Sequence, residues 1–210
     1  MTPTITLHRD DLPAGLPFGD SVAIDCEMMG LNIARDRLCI VQMYDPAHER
    51  VDIVQFNGHN YSAPNLRAVL AAPGRLFLGH MIRLDLGWIL HYLKTDIAHV
   101  YCTRTASRIA QTFGASHDFK NLVTGLLGES IDKSETTSDW GAETLSPAQL
   151  KYVVNDVIFL HRLRDKLDAL LAREGRAQLA ADIMKTIPAR ARMDVAGWWG
   201  EDILDFPFGK

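Results

Sequence analysis

Apolar residues first gather at Val22, Ala23 and Ile24, and the run then alternates, with Ile24, Cys26 and Met28 set against Asp25 and Glu27. That two-residue period belongs to a strand, whose successive side chains point to opposite faces. Arg37–Asp45 (RLCIVQMYD) and Arg50–Phe56 (RVDIVQF) are also rich in strand-forming residues, and the turn-like PAHE separates them. Three strands in quick succession predict an antiparallel meander. The pattern then changes. Ala63–Gly74 reads as a short helix closed by Pro73-Gly74, and Arg75–His80 as a short buried strand. Met81–Leu93 carries Leu84, Trp88 and Ile89 at helical spacing, Ile97–Thr103 reads as another strand, and Arg104–Phe113 as a helix. Strands alternating with helices imply parallel pairing. The expected fold class is therefore α/β: a mixed sheet, with the antiparallel meander followed by parallel strands, flanked by helices.

The stretch Leu145–Gly175 carries the clearest local signals. Ser146 suits a helix N-cap, Pro147 the first turn, and Gln149 completes a capping box. Leu150, Val153, Val154, Val157, Leu160 and Leu163 keep an apolar stripe, and Gly175 supplies a stop. Tyr152 and Asp156, four residues apart, share one face of this helix. Beyond Gly175 a less regular tail is expected. With no internal repeat and no low-complexity linker, residues 1–210 read as one domain with 176–210 as a C-terminal tail.

Composition narrows the class. The 210 residues are 47% hydrophobic and 23% charged, enough for one sizeable core. No apolar run reaches membrane-spanning length, and the first fifteen residues are too polar and too mixed in charge for a secretory signal. Cys26, Cys39 and Cys102 are scattered, with no C-x-x-C pair, which points to reduced thiols in a cytoplasm rather than disulfides or zinc. No H-E-x-x-H or H-x-x-x-H pattern is present. A net charge of −4 lacks the basic excess of proteins that coat long duplexes, so an anionic substrate has to be gripped locally.

Asp25 and Glu27 raise the chemical question. On one strand face their β-carbons lie roughly 6–7 Å apart, and like charges at that range repel by about 2–3 kcal/mol at an effective dielectric near 20. Folding must protonate one of them or place a cation between them. A lone D-x-E is compatible with a solvated strand face, and Asp85 alone with a helix first turn, where the dipole favours an acid. Their order along the chain says more: two carboxylates on the first strand of the meander, one early in a helix after a later strand, and Y-x-x-x-D in the C-terminal helix.

That order resembles the DEDD superfamily of 3′-5′ exonucleases, in the tyrosine-bearing branch that includes ribonuclease D. The matching residues are Asp25 and Glu27 in AIDCE, Asp85 in HMIRLD, and Tyr152 with Asp156 in YVVND. RLCIVQMYD, CTRTASRIA, LLGESIDKSETTSDWGAETLSPAQL and DVIFLHRLRDKL support the match, which covers nearly the whole chain and looks closest to the compact bacterial members called nanoRNase C. The resemblance implies a ribonuclease H-like fold. It implies two divalent ions, Mg²⁺ or Mn²⁺, held by Asp25, Glu27, Asp85 and Asp156, because hard cations prefer oxygen ligands. It assigns Tyr152 to orienting the attacking water, since a phenol with a pKa near 10 is a poor base at neutral pH. Leu31 matches a wedge against terminal bases, His80 a contact to sugar or backbone, and Lys133 a contact to phosphate. Gln42 reads as a polar interruption of its strand, and Trp140 as core. Met28, Met29 and Leu84 depart from residues usual in the group, and they flank the cage without removing a ligand. The implied substrates are short single-stranded RNA or dinucleotides, cut to nucleoside 5′-monophosphates. The implied assembly is a homo-octamer, with the tail aromatics Trp198, Trp199, Phe206 and Phe208 as candidate contacts. Trimming of longer RNA such as tRNA precursors, single-stranded DNA exonuclease action, and a catalytically silent binding or assembly role are the alternatives.

Overall fold

Hydrogen bonding in the computed structural model, which describes residues 3–113, 116–131, 135 and 137–200, organises six strands into one sheet. They are β1 (Thr4–Arg9), β2 (Ser21–Met28), β3 (Leu38–Asp45), β4 (Arg50–Gln55), β5 (Leu76–Gly79) and β6 (Val100–Cys102), in the order β1-β4-β3-β2-β5-β6. β2, β3 and β4 form the expected antiparallel meander, and β5 and β6 add in parallel beside β2. β1, which the sequence pattern did not disclose, pairs in parallel with β4 at the sheet edge. Its apolar residues Ile5 and Leu7 face solvent, so no core pattern marks it.

The central strands are buried on both faces. Nearly every residue of β3 is inaccessible, from Leu38 through Met43. Among the described residues, seven α-helices flank the sheet: α1 (Pro64–Leu70), α2 (Arg83–Trp88), α3 (Thr103–Ala110), α4 (Phe119–Leu122), α5 (Pro147–Ile158), α6 (Leu160–Arg173) and α7 (Ala177–Val195). α2 runs on into a π-helical turn, Ile89–Leu93, ended by Lys94 in the left-handed region. The capping box of α5 forms as read: Ser146 Oγ accepts from Gln149 N at 3.1 Å, and Gln149 Oε1 accepts from Ser146 N at 2.8 Å.

Two helical expectations need correction. The stretch after Ser146 is two helices, with Phe159 (φ −90°, ψ −13°) at the joint between α5 and α6. The region after Gly175 is not irregular: α7 runs nineteen residues through Pro188 and buries Ala180, Met184, Ile187 and Ala191. Gly175 does end α6, at φ +67°. The three cysteines are buried and free. Among the described residues, no helix is long and apolar enough to cross a membrane.

Candidate active site

The site is built on the centre of the sheet, where β2 and α5 meet. Asp25 and Glu27 leave β2 on the same face, and a register irregularity follows at Glu27/Met28. α5 packs over β2 and β3 and brings Asp156 to them. One carboxylate oxygen from each of Asp25, Glu27 and Asp156 lies within 4.8 Å of the others, with Asp156 buried and the strand pair half-buried. Three acids at that spacing, only partly open to water, repel one another unless a cation joins them, and an all-carboxylate donor set suits a hard divalent ion. The residues present therefore fit such an ion.

Asp85 belongs to the same neighbourhood but sits outside that tight trio. It is 4% exposed, and its Oδ1 accepts from the backbone N–H of Cys26 at 3.1 Å, fastening α2 to the strand between Asp25 and Glu27. Burial pushes the Asp85 carboxyl up to about 8; the backbone hydrogen bonds pull against the rise, and the charge of Asp156 adds to it. The Cys26 thiol is raised by the same burial and by the charges of Asp85, Asp25 and Glu27.

Gln42 has a larger part than the sequence suggested. It pairs with Asp25 across β2 and β3, is fully buried, and donates from Nε2 to Asp25 Oδ2 at 2.6 Å. Its polarity inside an apolar strand was the available signal. Trp140 is core, as read, and its ring packs against Tyr152 at 5.5 Å between centroids. Tyr152 is thus held one helical turn from Asp156.

The remaining sequence candidates sit around this centre. Leu31 is 74% exposed, a wedge-like placement rather than a core one. The loop that carries it turns tightly at Gly30, where a Cβ would lie 2.2 Å from Asp36 Oδ2. His80 follows β5, with Nδ1 within 3.0 Å of Thr103 Oγ1 and its ring beside Phe119. Lys133 lies outside the described residues, as do Phe206 and Phe208. A cavity of about 550 Å³ beside α2 is lined by Leu31, Leu84, Arg83, Arg104, Arg108 and Arg190 among others. The sequence reading did not single out these arginines, although Arg104 and Arg108, four apart, share one face of α3.

A family model described as 3′-5′ exonuclease matches residues 12–172. The chain belongs to the 3′-5′ exonuclease family. Ribonuclease D of Acidiphilium cryptum is 30% identical over 191 residues, covering 90% of this chain and 47% of that protein. DNA polymerase I of Aquifex aeolicus is 35% identical over 156 residues, 74% of this chain and 25% of that protein. The chain thus spans less than half the length of these two curated relatives. Among solved structures, Brucella melitensis NrnC bound to pGG is 40% identical, with a TM-score of 0.89 over 97% of this chain and 98% of that one. NrnC with bound Mg²⁺ gives a TM-score of 0.87 at 40% identity, over 96% of this chain and 98% of that one. Escherichia coli RNase D, 22% identical with a TM-score of 0.70, covers 82% of this exonuclease-family chain and 45% of its own; at that identity it speaks for the fold. The mixed sheet is accordingly the ribonuclease H-like arrangement of this family.

Proposed function

We propose that this chain is a metal-dependent 3′-5′ exoribonuclease that cuts short oligoribonucleotides, dinucleotides among them, to nucleoside 5′-monophosphates. The observation that carries the reading is the convergence of Asp25, Glu27 and Asp156 within 4.8 Å; an arginine-lined cavity lies beside α2, the helix that carries Asp85. Likeness to NrnC bound to pGG over nearly the full length of both chains supports the short substrate.

In this reading Asp25, Glu27, Asp85 and Asp156 hold two Mg²⁺ or Mn²⁺ ions. Such a pair, when bound, supplies an acidified water and charge stabilisation for an in-line displacement at phosphorus. The rest falls to the chain's own groups. Gln42 fixes the rotamer of Asp25, and Tyr152, backed by Trp140, orients the attacking water from the face of α5 that carries Asp156. Arg104, Arg108 and Arg190 offset phosphate charge in the cavity. Leu31 wedges against a terminal base, His80 contacts sugar or backbone, and Lys133 contacts phosphate. The chain acts as one exonuclease domain in the cytoplasm, and copies associate into a homo-oligomer, an octamer by resemblance, through the region 176–210.

The test compares a labelled RNA dinucleotide with a long single strand at matched Mg²⁺ or Mn²⁺. Faster turnover of the dinucleotide is expected. Equal or faster cutting of the long strand would point to ribonuclease D-like trimming, and preference for a DNA strand to the DNA exonuclease alternative.

A further inference from the structure

α2 carries Asp85, yet little in α2 itself fixes its position. It has six residues and no side-chain cap, and Met81, just before it, sits in the left-handed region at φ +62°. A helix this short has no independent stability. Leu86 and Trp88 seat it in the core, and the far end of the chain holds its outer side. Arg83 Nε donates to Asp194 Oδ2 at 2.6 Å, and Arg83 Nη2 donates to Asp194 Oδ1 at 2.5 Å, a two-pronged guanidinium–carboxylate contact. The Asp194 side chain is 3% exposed, so its charge depends on this partner. Val195 approaches Gly87 on the same helix, and the Trp199 ring lies 5.7 Å beneath the Arg83 guanidinium.

From these contacts we infer that Asp194 is a positioning residue for the metal site: the end of α7, through Arg83, sets where α2 presents Asp85. α7 lies beyond residues 12–172, the part matched by the family model. The Asp85 carboxylate is thereby located by two tethers of different origin. One is the Cys26 amide on β2, within the matched region, and the other is a helix outside it. The inference rests on the metal-dependent reading above.

The test uses Asp194→Asn, which keeps the shape and removes the charge, and Arg83→Lys, which keeps the charge and loses the fork. Melting curves select whichever variant is folded. Each is titrated calorimetrically with Mn²⁺ alone, and kcat and KM are measured on an RNA dinucleotide. Partners of metal ligands typically tune affinity or activity by roughly 10–100-fold, so Mn²⁺ affinity and kcat should each fall about tenfold while KM moves less than about twofold. A raised KM with unchanged Mn²⁺ affinity would overturn the inference, because Arg83 would then act on substrate directly. Unchanged affinity and unchanged kcat would also overturn it, leaving the metal reading intact. A wild-type chain that takes up no Mn²⁺ would bring down both.

Discussion

Gln42 donates to Asp25 from the middle of a strand that is apolar from Leu38 to Val41, and it does so without access to solvent. Replacing it with Leu removes one hydrogen bond to a carboxylate whose orientation the site requires. By the usual weight of such partners, kcat should fall by about 10–100-fold with the fold retained. Steady-state kinetics beside a melting curve would check this. Asp85→Asn makes a sharper case. It removes a proposed ligand, so hydrolysis should drop by at least about 10²-fold, in keeping with the loss of one preorganised electrostatic group. The same substitution also removes a carboxyl that burial makes costly to ionise. The metal-free variant should therefore melt higher than wild type at pH 8, while its rise in melting temperature with added Mn²⁺ should shrink. At this scale D-x-E on a strand and Y-x-x-x-D on a helix each encode a shared face, but only the resemblance to the exonuclease superfamily joined the two segments and Asp85 into one candidate site. Gln42 was seen but read as an interruption. Its partner sits seventeen residues earlier, and only the strand register joins them.

Among the elements, α5 is the one whose local chemistry was most completely written in the chain. Its box of Ser146 and Gln149 satisfies two backbone donors, and Ser146→Ala should cost about 1 kcal/mol of stability, with kcat unaffected at temperatures where the variant is folded. Chemical denaturation beside a dinucleotide assay separates the two effects. The helix signal continued past Ile158 because Leu160 and Leu163 preserve the stripe, and nothing in the residue types announces the bend at Phe159. α7 escaped for the opposite reason. Its buried stripe uses Ala180 and Ala191, which read as weakly apolar, and Pro188 reads as a breaker although it lies inside the helix. β1 does alternate Thr4 and Thr6 with Ile5 and Leu7, but the run is short and polar-rich and its apolar side chains turn outward at the sheet edge. Gly30 is set by a tertiary contact instead. Its close approach to Asp36 means that Gly30→Ala should displace the Leu31 loop, raising KM for a dinucleotide more than it lowers kcat.

For the whole molecule, the buried acids couple stability to pH and to divalent ions. The Asp85 carboxyl titrates near 4 when unfolded and is raised to about 8 in the fold. Between those values the folded chain binds more protons than the unfolded chain, so stability decreases with pH. The favourable contribution is complete below about pH 4 and is lost as pH rises through about 8, with a slope of at most about 1.4 kcal/mol per pH unit for one group. A divalent ion competes with that proton. It should bind more weakly at pH 5, where Asp85 holds its proton, than above pH 8, where Asp85 is ionised. Melting temperature measured with and without Mg²⁺ from pH 5 to 9 should diverge with rising pH: the metal-free curve falls and the Mg²⁺ curve stays level. A metal-free curve that is flat through this range would mean that Asp85 ionises in the fold without penalty, and the case for a cation would rest on Asp25, Glu27 and Asp156 alone.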